Sequence, residues 1–255
     1  MLQRLLTHPL MRHVDLDDPL TTELRRQLLQ SKPFLKQIYQ EWYQRLAAEF
    51  EAGQRVLEIG AGAGFLKEHL PSLIRSEILP ISGMDLVLDA RFLPLKQGVL
   101  DGIVMTDVLH HVPDCAAFLH EAARVIRPGG KLAMIEPWNN YWARLIYTHL
   151  HHEPFLPEAS DWELPVGGPL SIANGALPWM ILVRDQDRFA QEHPQWQVQT
   201  LTPLMPFTYL VSGGLSLSAL LPGFTYPLLR WLEQHLGEAR WGMFAQICLV
   251  RHQSS

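Results

Sequence analysis

Val56-Leu57-Glu58-Ile59-Gly60-Ala61-Gly62-Ala63-Gly64 decides how the rest of this chain is read. An apolar run carrying one acid, Glu58, passes into glycines at alternate positions, and Phe65 to Leu70 beyond them has a helical pattern. The spacing predicts a strand, a tight turn and a helix start. Glycine at such a turn admits φ > 0 and lets a ligand approach with no Cβ in the way, while a following helix offers free N–H groups. A nucleotide-like ligand suits that geometry. The dinucleotide fingerprint G-x-G-x-x-G fails, because its third glycine would fall on Phe65. What remains is E-x-G-x-G-x-G.

Composition narrows the field. The 255 residues are 47% hydrophobic and 18% charged, enough for one large domain with a cap. A net charge of -5 without clustered Lys or Arg excludes a general polyanion binder, so no nucleic acid partner is expected. Cys115 and Cys248 have neither metal spacing nor a disulfide framework and read as buried thiols of a reducing compartment. Arg4, His8, Pro9, Arg12 and Asp15 break up the start, so no apolar core of a signal peptide develops and a cytoplasmic location is expected.

Outward from the glycines, residues 1–17 read as an irregular lead. Asp18-Pro19 starts a helix with Leu20, Leu24 and Leu28 in step, and Ser31 with Pro33 restarts one whose stripe is Phe34, Ile38, Trp42 and Leu46. Residues 1–52 thus form a helical arm. Its Tyr39, Trp42 and Tyr43 serve either as a lid or as core packing. After Pro71, Leu73 to Leu79 makes a second strand. Glu77 stands near the spacing, about 20 residues past the glycines, where an acid meets a ribose diol; Asp85 is its rival. Only Pro80 to Met84 separates Leu79 from Asp85, after which the next strand-like run, Leu86 to Leu88, begins, and this is short for a parallel crossover. Asp101 to Asp107 is a strand that sets Asp107 at the carboxyl edge of the sheet, and a helix opened by Pro113 leads through Arg127-Pro128-Gly129-Gly130 to the strand Lys131 to Glu136. Such alternation implies βαβ units and an α/β fold.

Four ordered motifs, V-L-E-I-G-A-G-A-G at 56–64, D-A-R-F-L-P-L at 89–95, D-G-I-V-M-T-D-V-L-H-H-V at 101–112 and R-V-I-R-P-G-G-K-L at 124–132, resemble class I S-adenosylmethionine-dependent methyltransferases of the type 11 kind. The resemblance implies a Rossmann-like, mostly parallel seven-stranded sheet with flanking helices, its last strand, Phe244 to Val250, antiparallel at the edge. It implies S-adenosylmethionine as cofactor. Glu58 and the turn of Gly60, Ala61, Gly62 and Gly64 would hold the methionine end and Glu77 the ribose. Asp89 and Ala90 would meet the adenine, and Asp107 and Val108 the sulfonium end. His110, His111, Trp138 and Tyr141 are candidates for the substrate side by position, and no catalytic base is named. Methyl transfer in line from an activated donor asks chiefly for alignment and a water-poor pocket.

Past Pro137 the resemblance thins, and 138–230 reads as an apolar cap within a methyltransferase domain of 53–255. Of His149, His151 and His152, only the first and last have helical ligand spacing, so no metal is expected. Pro154 to Pro178 reads as a long loop. From His193 to Leu229 there is no Lys, Arg, Asp or Glu, yet Pro206, Gly213-Gly214 and Pro222 interrupt any membrane span. A cap over the acceptor, a homodimer face and peripheral membrane contact are the three uses open to it. The expected acceptor is a small, lipophilic molecule. The rival from another class is a non-catalytic protein that keeps this fold and binds a partner through the apolar region. A DNA amino-methyltransferase lacks support, since V-L-H follows Asp107 where a Pro-Pro-aromatic run would be needed.

Overall fold

The computed structural model describes His8, Met11, residues 14–151 and residues 153–252, so most of the lead and His152 lie outside the described residues. Asp18 caps α1 (Pro19–Ser31), its carboxylate accepting the Leu20 N–H at 2.8 Å, and α2 (Pro33–Ala47) follows after one residue. The α2 stripe is core: Phe34, Ile38, Trp42 and Leu46 are buried.

One sheet carries the chain, in the order β3-β2-β1-β4-β5-β7-β6. Strands β1 (Val56–Ile59), β2 (Ile74–Glu77), β3 (Leu86–Val87), β4 (Leu100–Thr106) and β5 (Ile126–Pro137) run parallel, and β7 (Phe244–Arg251) is antiparallel to both β5 and β6 (Trp196–Leu204). The four-residue β1 is buried along its length, as a parallel strand covered on both faces must be. Helix α3 (Cys115–Val125), capped by Asp114 on the Ala117 N–H at 2.8 Å, returns the chain from β4 to β5.

Two expectations are corrected. The last strand is antiparallel but not at the edge: β6, inside the stretch read as cap, pairs outside it. The burial pattern explains the order. Phe244 to Leu249 are buried throughout, whereas Gln197, Val198 and Gln199 are exposed and Pro203 gives up a ladder donor, as edge strands tolerate. The helix expected at Phe65 to Leu70 is a single 3-10 turn, Leu66–Glu68, because Pro71 disfavours a helical conformation at Leu70 and leaves too few residues for more. The third strand, two residues long, is present despite its short link, with only Ile78 to Asp85 as its crossover. Gly83 at φ +85 turns the link, and Asp85 fixes its return by accepting the Arg75 N–H at 2.9 Å and donating its own to Arg75 O at 3.0 Å.

Trp42 belongs to the core rather than to a lid. It is fully buried, stacks on Tyr209 (centroids 5.7 Å apart, planes at 15°) and leans on Phe244 at 4.7 Å. Trp42→Ala should cost about 3–5 kcal/mol in equilibrium unfolding while cofactor affinity stays put. A tenfold loss of affinity at unchanged stability would return it to the lid.

Candidate active site

Above the carboxyl ends of β1, β2 and β4 lies a cavity of about 770 Å3. The glycine turn forms one wall. Ala61 donates its N–H to Ser76 O at 3.0 Å, and Gly64 donates to Ala61 O at 2.8 Å. Gly62 sits at φ +37, a conformation that L side chains rarely adopt, and at Gly64 a Cβ would fall 2.3 Å from the Tyr43 hydroxyl. Arg26 of α1 reaches in to donate to Gly62 O at 2.9 Å, so the arm holds the turn in place.

Glu77, at the end of β2, is 5% exposed. Its Oε2 accepts the Gly62 N–H at 3.1 Å and its Oε1 the Ile78 N–H at 2.8 Å, which joins the acid to the turn. The rival Asp85 faces Arg75 and Lys67 outside the cavity lining. Glu58 and Asp107 also line the cavity. Burial pushes the Glu58 carboxyl up to about 8, with Arg75 opposing and Glu77 adding to the shift. Burial likewise lifts Asp107 to about 7. Burial raises Glu77 too, against its backbone hydrogen bonds. Asp89 lines the cavity with Ala90 while Arg91 grips its carboxylate at 2.6 Å, so turn-forming and ligand-facing roles coexist there.

At the β4 edge Asp107 takes φ +61, and Val108 packs against Gly60, where a Cβ would meet its Cγ2 at 2.5 Å. Glu136, the acid ending K-L-A-M-I-E, organises this corner. Fully buried, its Oε1 accepts the Val108 and Leu109 N–H groups at 2.8 and 2.7 Å, and its Oε2 meets His110 Nδ1 at 2.8 Å.

The two adjacent histidines separate. His110 is buried behind the wall, and Glu136 and Glu153 hold its imidazole well above the usual range against the burial that would lower it. His111 lines the cavity. Its Nδ1 lies 2.7 Å from Ile172 O, and since a carbonyl only accepts, Nδ1 carries the proton and Nε2 presents its lone pair, 3.7 Å from Glu153 Oε1. Burial, with the charge of His110, brings His111 down to about 4.

Trp138 and Tyr141 do not reach the site. Trp138 is 5% exposed in the core, its N–H tied to Met243 O at 2.8 Å. Tyr141 is 85% exposed because α4 (Tyr141–Leu150) turns Ala143, Ile146 and Tyr147 inward and leaves Tyr141 and Leu145 on its other face. The cavity also takes Thr22 and Arg25 from α1, Tyr39 and Tyr43 from α2, Tyr147 from α4, Glu153, Tyr209, and the apolar Leu210, Leu215, Leu217 and Leu220. Of these, sequence reasoning offered only the α2 tyrosines by name, as lid candidates, although the uncharged run marked the apolar strip.

Five carboxyl groups, Glu58, Glu77, Asp89, Asp107 and Glu153, line the cavity, against Arg25 as the one lysine or arginine in the described lining. This donor set suits a ligand with cationic centres and a sugar diol and opposes a pyrophosphate, which calls for N–H groups and basic side chains. S-adenosylmethionine meets that description.

The comparisons agree. A family model described as Methyltransferase domain matches residues 32–196. The chain is 29% identical over 164 aligned residues to a ubiquinone biosynthesis O-methyltransferase of Xanthomonas axonopodis pv. citri, covering 50% of this chain and 69% of that protein. It is 40% identical over 65 residues to a demethylmenaquinone methyltransferase of Mycolicibacterium vanbaalenii, covering 24% and 28%. A SAM-dependent methyltransferase from Thermotoga maritima superposes with a TM-score of 0.54 at 14% identity, over 90% of this chain and 99% of that one. A chain of the complex between the Haloferax volcanii Trm112 methyltransferase activator and a methyltransferase gives 0.56 at 13% identity, over 94% and 99%. These two show the shared fold.

Proposed function

The chain belongs to the methyltransferase-domain family, and from that premise we propose that it transfers the methyl group of S-adenosylmethionine to an oxygen of a small lipophilic acceptor. The observation that carries this reading is that one cavity holds both the acids of the glycine turn and the apolar strip Leu210, Leu215, Leu217 and Leu220. The relatives named for ubiquinone and demethylmenaquinone chemistry support the same class of acceptor.

In this reading Glu77 holds the ribose diol, Asp89 and Ala90 meet the adenine, and Glu58 with the backbone of Gly60 to Gly64 receives the ammonium end. Asp107 and Val108 border the reacting centre. The cofactor supplies an already activated methyl group, so the protein's part is alignment and the exclusion of water. Tyr39, Tyr43, Tyr147 and Tyr209 wall the cavity and, with the apolar strip, leave little room for water once cofactor and acceptor fill it. An acceptor hydroxyl must also lose its proton as the methyl arrives. The corner where His111 and Glu153 face the cavity is where this chain can deal with that proton.

The direct test is calorimetric titration with S-adenosylmethionine and S-adenosylhomocysteine, followed by transfer of an isotopically labelled methyl to hydroxylated aromatic acceptors with and without an alkyl tail. Micromolar cofactor binding, about 8 kcal/mol, with turnover favouring the tailed acceptor is expected. Turnover indifferent to the tail would remove lipophilicity from the reading.

A proton should leave on binding. With its carboxyl near 8, Glu58 is protonated in the free protein at neutral pH, and a cationic group placed beside it favours the ionised form. The free protein then holds a proton that the complex does not, so affinity rises with pH and levels off above about 8. Titrations in two buffers of different ionisation enthalpy would show the release, and Glu58→Gln should reduce it. Equal heats in both buffers would remove the ammonium from beside Glu58.

A further inference from the structure

We propose that His110, His111 and Glu153 form a binding site for one divalent transition cation at the acceptor end of the cavity. One ligand atom from each lies within 4.8 Å of the other two. His110 Nε2 is 3.5 Å from Glu153 Oε2, and His111 Nε2 is 3.7 Å from Glu153 Oε1. Ligand atoms on a tetrahedral cation with bonds of about 2.1 Å stand about 3.4 Å apart, so these carboxylate-to-imidazole separations need to close by only a few tenths of an ångström.

The surroundings of the imidazoles point the same way. A metal-binding histidine usually donates its other ring N–H to a carboxylate or a carbonyl, which fixes the ring and its tautomer. Both histidines have that partner: Glu136 Oε2 at 2.8 Å for His110 Nδ1 and Ile172 O at 2.7 Å for His111 Nδ1. Two adjacent side chains thus aim their Nε2 atoms at one carboxylate, each braced from behind by a different element. Asp107 Oδ1, 4.0 Å from His110 Nε2, offers a fourth oxygen. His111, Glu153 and Asp107 line the cavity, so a remaining coordination position opens toward the acceptor. Two imidazoles with carboxylates select Zn2+, Co2+, Fe2+ or Mn2+ over the all-oxygen preference of Mg2+.

The site stands on geometry alone; its use rests on the methyltransferase reading above. With a cation bound, the two imidazoles coordinate, and an acceptor hydroxyl on the open position is acidified. Its proton passes to solvent, the methyl leaves the sulfonium for the oxygen, and the sulfur keeps the electron pair of the broken S–C bond.

The test uses the full chain, free of any affinity tag and stripped with a chelator, titrated with Zn2+ alone by calorimetry and with Co2+ by visible absorption. S-adenosylhomocysteine binding and thermal melting are followed in parallel. The expected result is one equivalent of Zn2+ per chain, intense Co2+ bands of a low-coordinate site, and affinity weakened at least about tenfold in His111→Ala and in Glu153→Gln. Retained S-adenosylhomocysteine binding shows that these variants are folded. Absence of stoichiometric binding by the folded parent overturns the proposal, as does unchanged binding by the double variant. If the metal binds but S-adenosylhomocysteine does not, the site survives and the methyltransferase assignment of the cavity fails.

Discussion

Glu77→Ala is expected to weaken S-adenosylhomocysteine binding by at least about 100-fold, because it removes a charged acceptor of two hydroxyls at about 1.5–3 kcal/mol per hydrogen bond to a charged group. The geometry gives the acid a second duty. Its Oε2 also accepts the Gly62 N–H at 3.1 Å, so the truncation loosens the glycine turn that faces the same ligand. Glu77→Gln separates the two. The amide oxygen can still accept from Gly62 but offers the diol only one good acceptor, so a loss of about tenfold is expected. Both variants should melt close to the parent, since Ala leaves a water-accessible wall of the cavity rather than a sealed void. Binding by Glu77→Ala within a few-fold of the parent would take the ribose away from this acid. Asp85 could not inherit the role, because it points to Arg75 and Lys67 outside the cavity.

What the sequence disclosed follows from which interactions are local. The glycine turn, the acid ending β2 and the edge position of Asp107 are each set within a strand and its next turn, where spacing carries the information. Strands β1, β4 and the latter part of β5 were readable for the same reason: each is a largely buried run. Strand β6 was hidden because its W-Q-V-Q-T-L-T-P-L is half polar and lies amid uncharged residues, and its place beside β7 is a tertiary choice. Adjacent histidines present a harder problem. Which of His110 and His111 faces the cavity is decided by Glu136, 26 residues from His110, and by the carbonyl of Ile172, 61 residues from His111. No local pattern encodes that. Glu153 follows a histidine cluster whose helical spacing picks out a different pair, His149 and His152. The ligating geometry lies between that acid and histidines some forty residues earlier in the chain.

How the segment around Arg230 is fastened to α2 was equally illegible, and it sets a stability effect as large as that of Trp42→Ala. Arg230 of α5 (Tyr226–His235) is 4% exposed amid an apolar stretch. Its guanidinium meets Glu41 Oε1 of α2 at 2.7 Å and Oε2 at 2.9 Å, Glu238 Oε1 at 2.7 Å, and Glu233. The carboxylates extend the network into backbone. Glu233 accepts from the Phe207 and Thr208 N–H groups, both at 2.6 Å, and Glu238 from Met205 at 2.8 Å, while Tyr226 donates to Glu41 at 2.7 Å. One cation therefore ties α2, α5 and the start of the segment that carries Tyr209 and Leu210 into the cavity. Arg230→Met keeps the stem but strands Glu233 and Glu238 and leaves Glu41 with Arg45 alone, at 3.0 Å, and should cost about 3–5 kcal/mol in equilibrium unfolding. The acid limb gives an independent reading. Burial would raise Glu41, but its hydrogen bonds to Arg230 and Tyr226 and the Arg230 charge bring it down to about 2. A folded value below the ordinary 4.5 contributes stability above that pH, which is lost as pH falls from about 4.5 toward 2. The parent should lose stability across that window, and Arg230→Met, already without the ion pair, should lose much less. A variant within 1 kcal/mol of the parent, with the same acid profile, would show that water substitutes for the guanidinium and that this segment is held by its apolar contacts alone.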